Sequence, residues 1–207
     1  MVCLGAAGGA LMQECFRETA VRYGLPVKER YTYEDYARLP EGAPLQLIGG
    51  KLVMTPAPGK THQQVVKKLF RLLDDYVEQQ KGGEVHFAPR DVELAPHEVY
   101  QPDILFISRE RLAISTEDKV AGAPDLVVEV LSPATAYYDL RKKFRAYERY
   151  GVREYWIADP EEKSIEVYAL DGGKFVLASR AEVAGEVASQ VLAGLTVDVG
   201  KVFGGQA

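Results

Sequence analysis

The segment "PDLVVEVLSP", residues 124 to 133, restricts the possible folds more than any other stretch of this chain. From Leu126 to Leu131 only Glu129 is polar, and a proline stands near each end of the run. Strands that read as unbroken aliphatic runs are covered on both faces, in sheets held between other layers. An ionised carboxylate inside such a strand costs several kcal/mol unless it is paired, protonated or bound to a metal. Glu129 therefore demands a compensating group, and whatever supplies it is a candidate for function.

Periodicity places the other elements around this strand. "YTYEDYARLP" (31–40) predicts a short helix capped by Thr32 and stopped at Pro40. "LQLIGGKLVM" (45–54) predicts a hairpin, because Gly49 and Gly50 supply the positive φ angles of a tight turn. Val65, Leu69, Leu72, Leu73 and Tyr76 recur at helical spacing, which predicts an amphipathic helix over 61–80 with Thr61 as its N-cap. Strands follow at "EVHFA", "RDVEL" and "QPDILFIS", then an apparent loop over 109–123. "TAYYDLRKKFRAYERYG" predicts a second helix with Gly151 as its stop. "EYWIADP" is a further strand, "SIEVYAL" and "KFVLASR" a hairpin around "DGG", and 186–203 a short strand and turn. This order predicts an α/β domain of packed layers around a mixed sheet. Residues 1–30 show no sustained period and are expected to be an arm or extension outside a domain spanning 31–205.

Asp103 stands after Pro102 at the head of the strand-like run Ile104 to Ile107, and Glu129 lies in the next predicted strand. If those strands are neighbours, the two carboxylates come within reach of one ion. Hard divalent cations such as Mg²⁺ take one or two carboxylates plus water and phosphate oxygens. Two compensations for Glu129 stay open at this point: a cation shared with Asp103, or a structural Lys or Arg. Asp125 follows a second proline, but four residues of strand put it about 13 Å from Glu129. It cannot share that ion and reads as a strand-entry or turn residue.

The second helix supplies cations. Asp139, Lys143 and Tyr147 share a face at i, i+4 and i+8, with Arg141, Lys142, Arg145 and Arg149 on neighbouring faces. Alone, this is a solvated helix with a salt bridge or two. Beside an acidic metal site, a lysine is the expected partner of an attacking hydroxide or a phosphate. His62, in the first turn of the long helix, is either an anion or substrate contact or a plain helix-start residue. Lys67, Lys68 and Arg71 with Lys142 and Arg145 could meet a phosphate backbone. Trp156 reads as core packing, and His86 and His97 have no ligand spacing.

Several classes are excluded or disfavoured. The chain of 207 residues is 47% hydrophobic and 27% charged, as expected of a globular protein, and holds no apolar run of membrane-spanning length. Cys3 and Cys15 form neither a zinc motif nor a disulfide framework, and the start lacks the basic region of a signal peptide, so a cytoplasmic location is expected. A net charge of -5 argues against nonspecific nucleic-acid binding as the main activity. "GAAGGA" has no preceding strand and no Lys-Ser/Thr, which removes a phosphate loop.

The stretches "YTYEDYARLP", "PAPGKTHQQVV", "YQPDILFIS", "APDLVVEVLSP", "DLRKKFRAYERYGVREYWIADP" and "LAGLTVDVGKVF" together resemble the Uma-type putative restriction endonucleases. These bacterial proteins were long catalogued as a domain of unknown function within the PD-(D/E)XK nuclease superfamily. The resemblance implies a three-layer restriction-endonuclease-like fold, with a central mixed sheet flanked by helices and an N-terminal hairpin. It makes Asp103 and Glu129 the metal carboxylates and gives the catalytic lysine role to Lys143 rather than Lys142. His62 falls on a recurrent family position. The implied activity is metal-dependent DNA cleavage with Mg²⁺ or Mn²⁺, by a homodimer if both strands of a duplex are cut. One departure is visible. Where the family often reads E-L-I-D-G-E-L, this chain has Gln46, Gly49 and Lys51. The lost acid keeps a second function open: a catalytically impaired nuclease fold that binds nucleic acid or protein.

Overall fold

The structure, a computed structural model, describes residues 18–133 and 138–204, apart from the side chains of Tyr138 and Asp139. Cys3 and Cys15 lie outside the described residues, as does the start of the predicted second helix, 135–137.

The aliphatic run becomes β8 (Leu126–Val130), with all five residues buried. It sits inside a six-stranded mixed sheet of order β11-β10-β9-β8-β6-β3, built from β3 (Gly83–Phe87), β6 (Ile104–Ser108), β9 (Glu154–Asp159), β10 (Ser164–Asp171) and β11 (Lys174–Glu182). β8 runs parallel to β9 and antiparallel to β6. Both faces of β8 are covered, as its composition requires. On one face, Leu126, Val128 and Val130 meet Val65, Leu69, Leu73 and Val77 of the long helix. On the other, Val127 and Leu131 pack with Tyr147 and with Val92, Tyr100 and Val120 of a second sheet.

That second sheet has the order β2-β1-β5-β4-β7, with β1 (Leu45–Ile48), β2 (Lys51–Met54), β4 (Val92–Ala95), β5 (Glu98–Tyr100) and β7 (Val120–Ala121). The predicted hairpin forms as β1–β2, with Gly49 at φ 61° and Gly50 at φ 76°. It is thus two strands of a larger sheet. Its outer residues Leu45, Leu47 and Leu52 are sealed by Ala20, Leu25, Tyr31 and Tyr36, so residues 18–30 contribute to a packed layer.

Besides helical residues 18–22, the described part contains α1 (Tyr33–Tyr36), α2 (Lys60–Gln80), α3 (Phe144–Tyr150) and α4 (Val199–Phe203). In α1 the Asp35 carboxylate reaches back to the Thr32 N–H at 3.1 Å, which fixes the start that the sequence predicts. α2 begins two residues earlier than a Thr61 cap implies, with Gly59 as its N-cap.

The second predicted helix differs more. A π-helical segment, Tyr138–Lys143, precedes regular α-helix from Phe144, and Gly151 at φ 83° ends it. The predicted loop 109–123 contains a 3-10 turn (Arg109–Ile114) and β7. The tail forms β12 (Glu186–Ala188) and β13 (Thr196–Asp198), then α4 where only a turn was expected.

Candidate active site

The antiparallel register of β6 and β8 builds the site. Ile104 lies opposite Val128, so one step further out Asp103 faces Glu129 across neighbouring strands. Alternation puts Asp103 on the side of Leu105 and Ile107, and Glu129 on the side of Val127 and Leu131, all four of which belong to one apolar cluster. The two carboxylates therefore share an end and a face of the sheet. The backbone seals the pairing, because the Val130 N–H donates to Asp103 Oδ2 at 2.8 Å. His62 Nε2 lies 3.1 Å from the same oxygen, which ties the first turn of α2 to the site.

Glu129 is 2% exposed, and the group that compensates it is Lys143, itself 5% exposed, with Nζ 2.9 Å from Oε2. The Tyr147 hydroxyl donates to Oε1 at 2.8 Å. Burial, followed by the nearby Glu129 charge, pushes the Tyr147 phenol well above its ordinary pKa, so it serves as a fixed donor. Lys143 and Tyr147 thus face the site together, as their spacing predicts, whereas the Asp139 side chain lies outside the described residues. Arg141, Lys142, Arg145 and Arg149 are exposed, and one residue of rotation separates Lys142 in water from Lys143 on the carboxylate.

The remaining expectations divide. Lys67 and Arg71 are exposed on α2. Lys68 is not a free surface cation: its ammonium donates to the carbonyls of Lys201, Val202 and Gly204 at 3.1, 2.8 and 2.7 Å, holding the end of α4. Asp125 is a buried structural anion. Burial alone would raise its pKa, but the Ser108 N–H and the Arg111 and Arg153 guanidiniums outweigh that and hold it below the ordinary range.

Sequence reasoning missed a polar network behind Asp103. Gln46 Oε1 accepts the Gln101 N–H at 3.1 Å, and the Gln101 side chain donates to Asp91 at 2.8 Å. Tyr36 also donates to Asp91 at 2.9 Å. Gln46 therefore props the segment that delivers Asp103. No local signal reveals this, since Gln46 and Gln101 are 55 residues apart in sequence.

Among the described residues no three His, Cys, Asp or Glu side chains cluster as a complete ion cage. The donor set nevertheless fits a hard divalent cation, which needs only one or two carboxylates when water and phosphate supply the other oxygens. Asp103 and Glu129 against Lys143 also leave one negative charge in excess when His62 is neutral.

The sequence profile of the Uma2 family, described as "Putative restriction endonuclease", matches residues 33–200. The chain belongs to the Uma2 family. No curated protein matches it. Among solved structures, a putative nuclease of DUF820 from Anabaena variabilis superposes with a TM-score of 0.70 at 21% identity, over 86% of this chain and 98% of that one. At that identity the likeness establishes the shared fold. The Uma2 match spans every residue of the site described above, from Gln46 through His62, Asp103 and Glu129 to Lys143 and Tyr147. No described helix is long and apolar enough to cross a membrane.

Proposed function

We propose that this Uma2 protein is a divalent-metal-dependent nuclease of the PD-(D/E)XK type that hydrolyses phosphodiester bonds in DNA. The observation that carries this reading is the facing pair Asp103 and Glu129, with Lys143 buried against Glu129. Asp103 and Glu129 would hold Mg²⁺ or Mn²⁺, which would supply charge neutralisation at the phosphate and activation of water.

The chain's own residues do the rest. The Val130 N–H and His62 fix Asp103 Oδ2, and Tyr147 fixes Glu129. The Lys143 ammonium orients the attacking oxygen and stabilises the negative charge that grows on the phosphate as the P–O bond to the leaving group breaks. The N-terminal end of α2, a helix of 21 residues, turns its positive dipole toward this anionic centre. Exposed Lys67, Lys142 and Arg145 are available to the phosphate backbone.

Gln46 supports the rival reading of an impaired nuclease fold that only binds, because an amide replaces a family acid beside the Asp103 segment. One experiment separates the two. Wild type and Glu129→Gln are compared for Mg²⁺-dependent cleavage of single-stranded, duplex and nicked DNA. Metal-dependent cleavage by wild type, lost in Glu129→Gln, is expected. Binding without cleavage in Mg²⁺ and Mn²⁺ would overturn the enzyme in favour of the binding module.

A further inference from the structure

Phe87, at 56% accessibility, is the exposed aromatic side chain among the described residues, and it lies at the carboxylate end of the sheet. It is the last residue of β3, the edge strand, and pairs with Ile104. The next residue, Ala88, donates its N–H to the Asp103 carbonyl at 3.1 Å, so Phe87 stands one residue from backbone contact with the catalytic segment.

The ring is also held in place. Phe70 of α2 meets it edge to face, with centroids 4.8 Å apart and planes at 69°. Lys67, one turn before Phe70, and Arg71, on the adjoining face, are both exposed on the same helix. Single exposed apolar residues are common, and exposure alone would decide nothing. Here a ring held by a second ring stands near two cations, on the α2 face of the sheet and one strand over from the head of β6 that carries Asp103.

We infer that Phe87 stacks on an unpaired nucleobase adjacent to the scissile phosphate, so that the preferred substrate is single-stranded or locally unpaired nucleic acid. This rests on the nuclease reading and adds a substrate class to it. Every base offers a π face, so such stacking tolerates any sequence, while Lys67 and Arg71 follow the backbone. In an intact duplex the base faces are already occupied by their neighbours, so the contact is gained only where a base is unpaired.

The test is binding by the full chain, in EDTA and again in Ca²⁺, to short labelled single-stranded DNA, RNA of the same sequence and the DNA duplex. Phe87→Leu keeps apolar bulk without a π face, Phe87→Ala removes both, and Phe87→Trp keeps the stack. Loss of one stacked base corresponds to about 5- to 150-fold weaker binding. That loss is expected for Phe87→Ala and Phe87→Leu on single strands, DNA or RNA, with duplex affinity little changed. Phe87→Trp should bind as wild type and report the stack by fluorescence quenching, against Trp156, which is buried. Unchanged single-strand affinity in both Ala and Leu variants, or an equal loss on duplex, overturns the role of Phe87 while leaving the nuclease reading intact. A wild-type protein that binds no nucleic acid in either condition overturns both.

Discussion

Lys143→Met tests whether the buried lysine carries the charge of Glu129. The two groups are 5% and 2% exposed and 2.9 Å apart, so the substitution leaves a carboxylate in an apolar layer without the ammonium that faces Oε2. Removing one partner of a buried ion pair costs about 3–5 kcal/mol. For a chain of this size each kcal/mol moves Tm by about 2–4 °C, which gives a fall of about 6–20 °C. The double variant Glu129→Gln/Lys143→Met carries neither charge and retains an oxygen for the Tyr147 hydroxyl, so it should recover most of that loss. Thermal unfolding by circular dichroism reads all three proteins, with and without Mg²⁺. A cation that binds Glu129 takes up the charge the lysine left, so Mg²⁺ should raise the Tm of Lys143→Met more than that of wild type. A ligand at 100 times its Kd contributes about 2.7 kcal/mol, enough to see. The double variant should gain little. A Lys143→Met protein that melts with wild type would refute the charge argument, and equal Mg²⁺ shifts in all three would place the cation elsewhere.

Lys143→Ala should slow single-turnover cleavage by about 100- to 1000-fold, the usual loss for one transition-state contact. Lys142→Ala should leave the rate and weaken DNA binding in a salt-dependent way, and the reverse pattern would exchange their roles. Lys68→Met should cost about 1 kcal/mol in urea unfolding through the freed α4 carbonyls and leave DNA affinity unchanged, whereas Lys67→Ala should do the opposite. Because the Asp125 pKa is depressed in the folded state, its contribution is present above the ordinary Asp value near 3.9 and is lost as pH falls through the folded pKa. The stability gap between wild type and Asp125→Asn should therefore be constant near neutrality and narrow below about pH 4, and a gap that stays constant to pH 2.5 would refute this. A homodimer is proposed through the outer edge of β11, where Val176 and Leu177 are exposed, and sedimentation equilibrium at micromolar concentration should give twice the chain mass.

The elements that were legible in sequence are those whose pattern is local. The aliphatic run of β8, the double glycine between β1 and β2, the Thr32 start of α1 and the Gly151 stop each encode a conformation in a few residues. Those that were missed depend on remote partners. β5 and β7 are three and two residues long and exist because β1 and β4 supply their hydrogen bonds. α4 is five residues, too short to hold itself, and is secured by Lys68 from another helix. The same long side chain explains why Lys68 looked like a surface cation. A lysine in an exposed turn of α2 has the right charge for DNA, and nothing nearby in sequence reveals carbonyls waiting more than a hundred positions on.

For the candidate site, the sequence posed a question with two answers, a cation or a structural lysine on Glu129. The geometry makes them compatible. Lys143 neutralises Glu129, Asp103 then stands with a negative charge beside it, and Oδ2 is occupied by the Val130 N–H and His62. The excess charge of the cluster comes from Asp103, which makes a cation favourable even with the lysine in place. A cation that also draws on Glu129 must share that carboxylate with the ammonium or displace it toward the bound phosphate. Either way the lysine acts twice, first holding a buried charge and then meeting a reacting one. The requirement for both roles explains why Lys143 lies on the buried stripe with Tyr147, while Lys142, one position earlier, faces water.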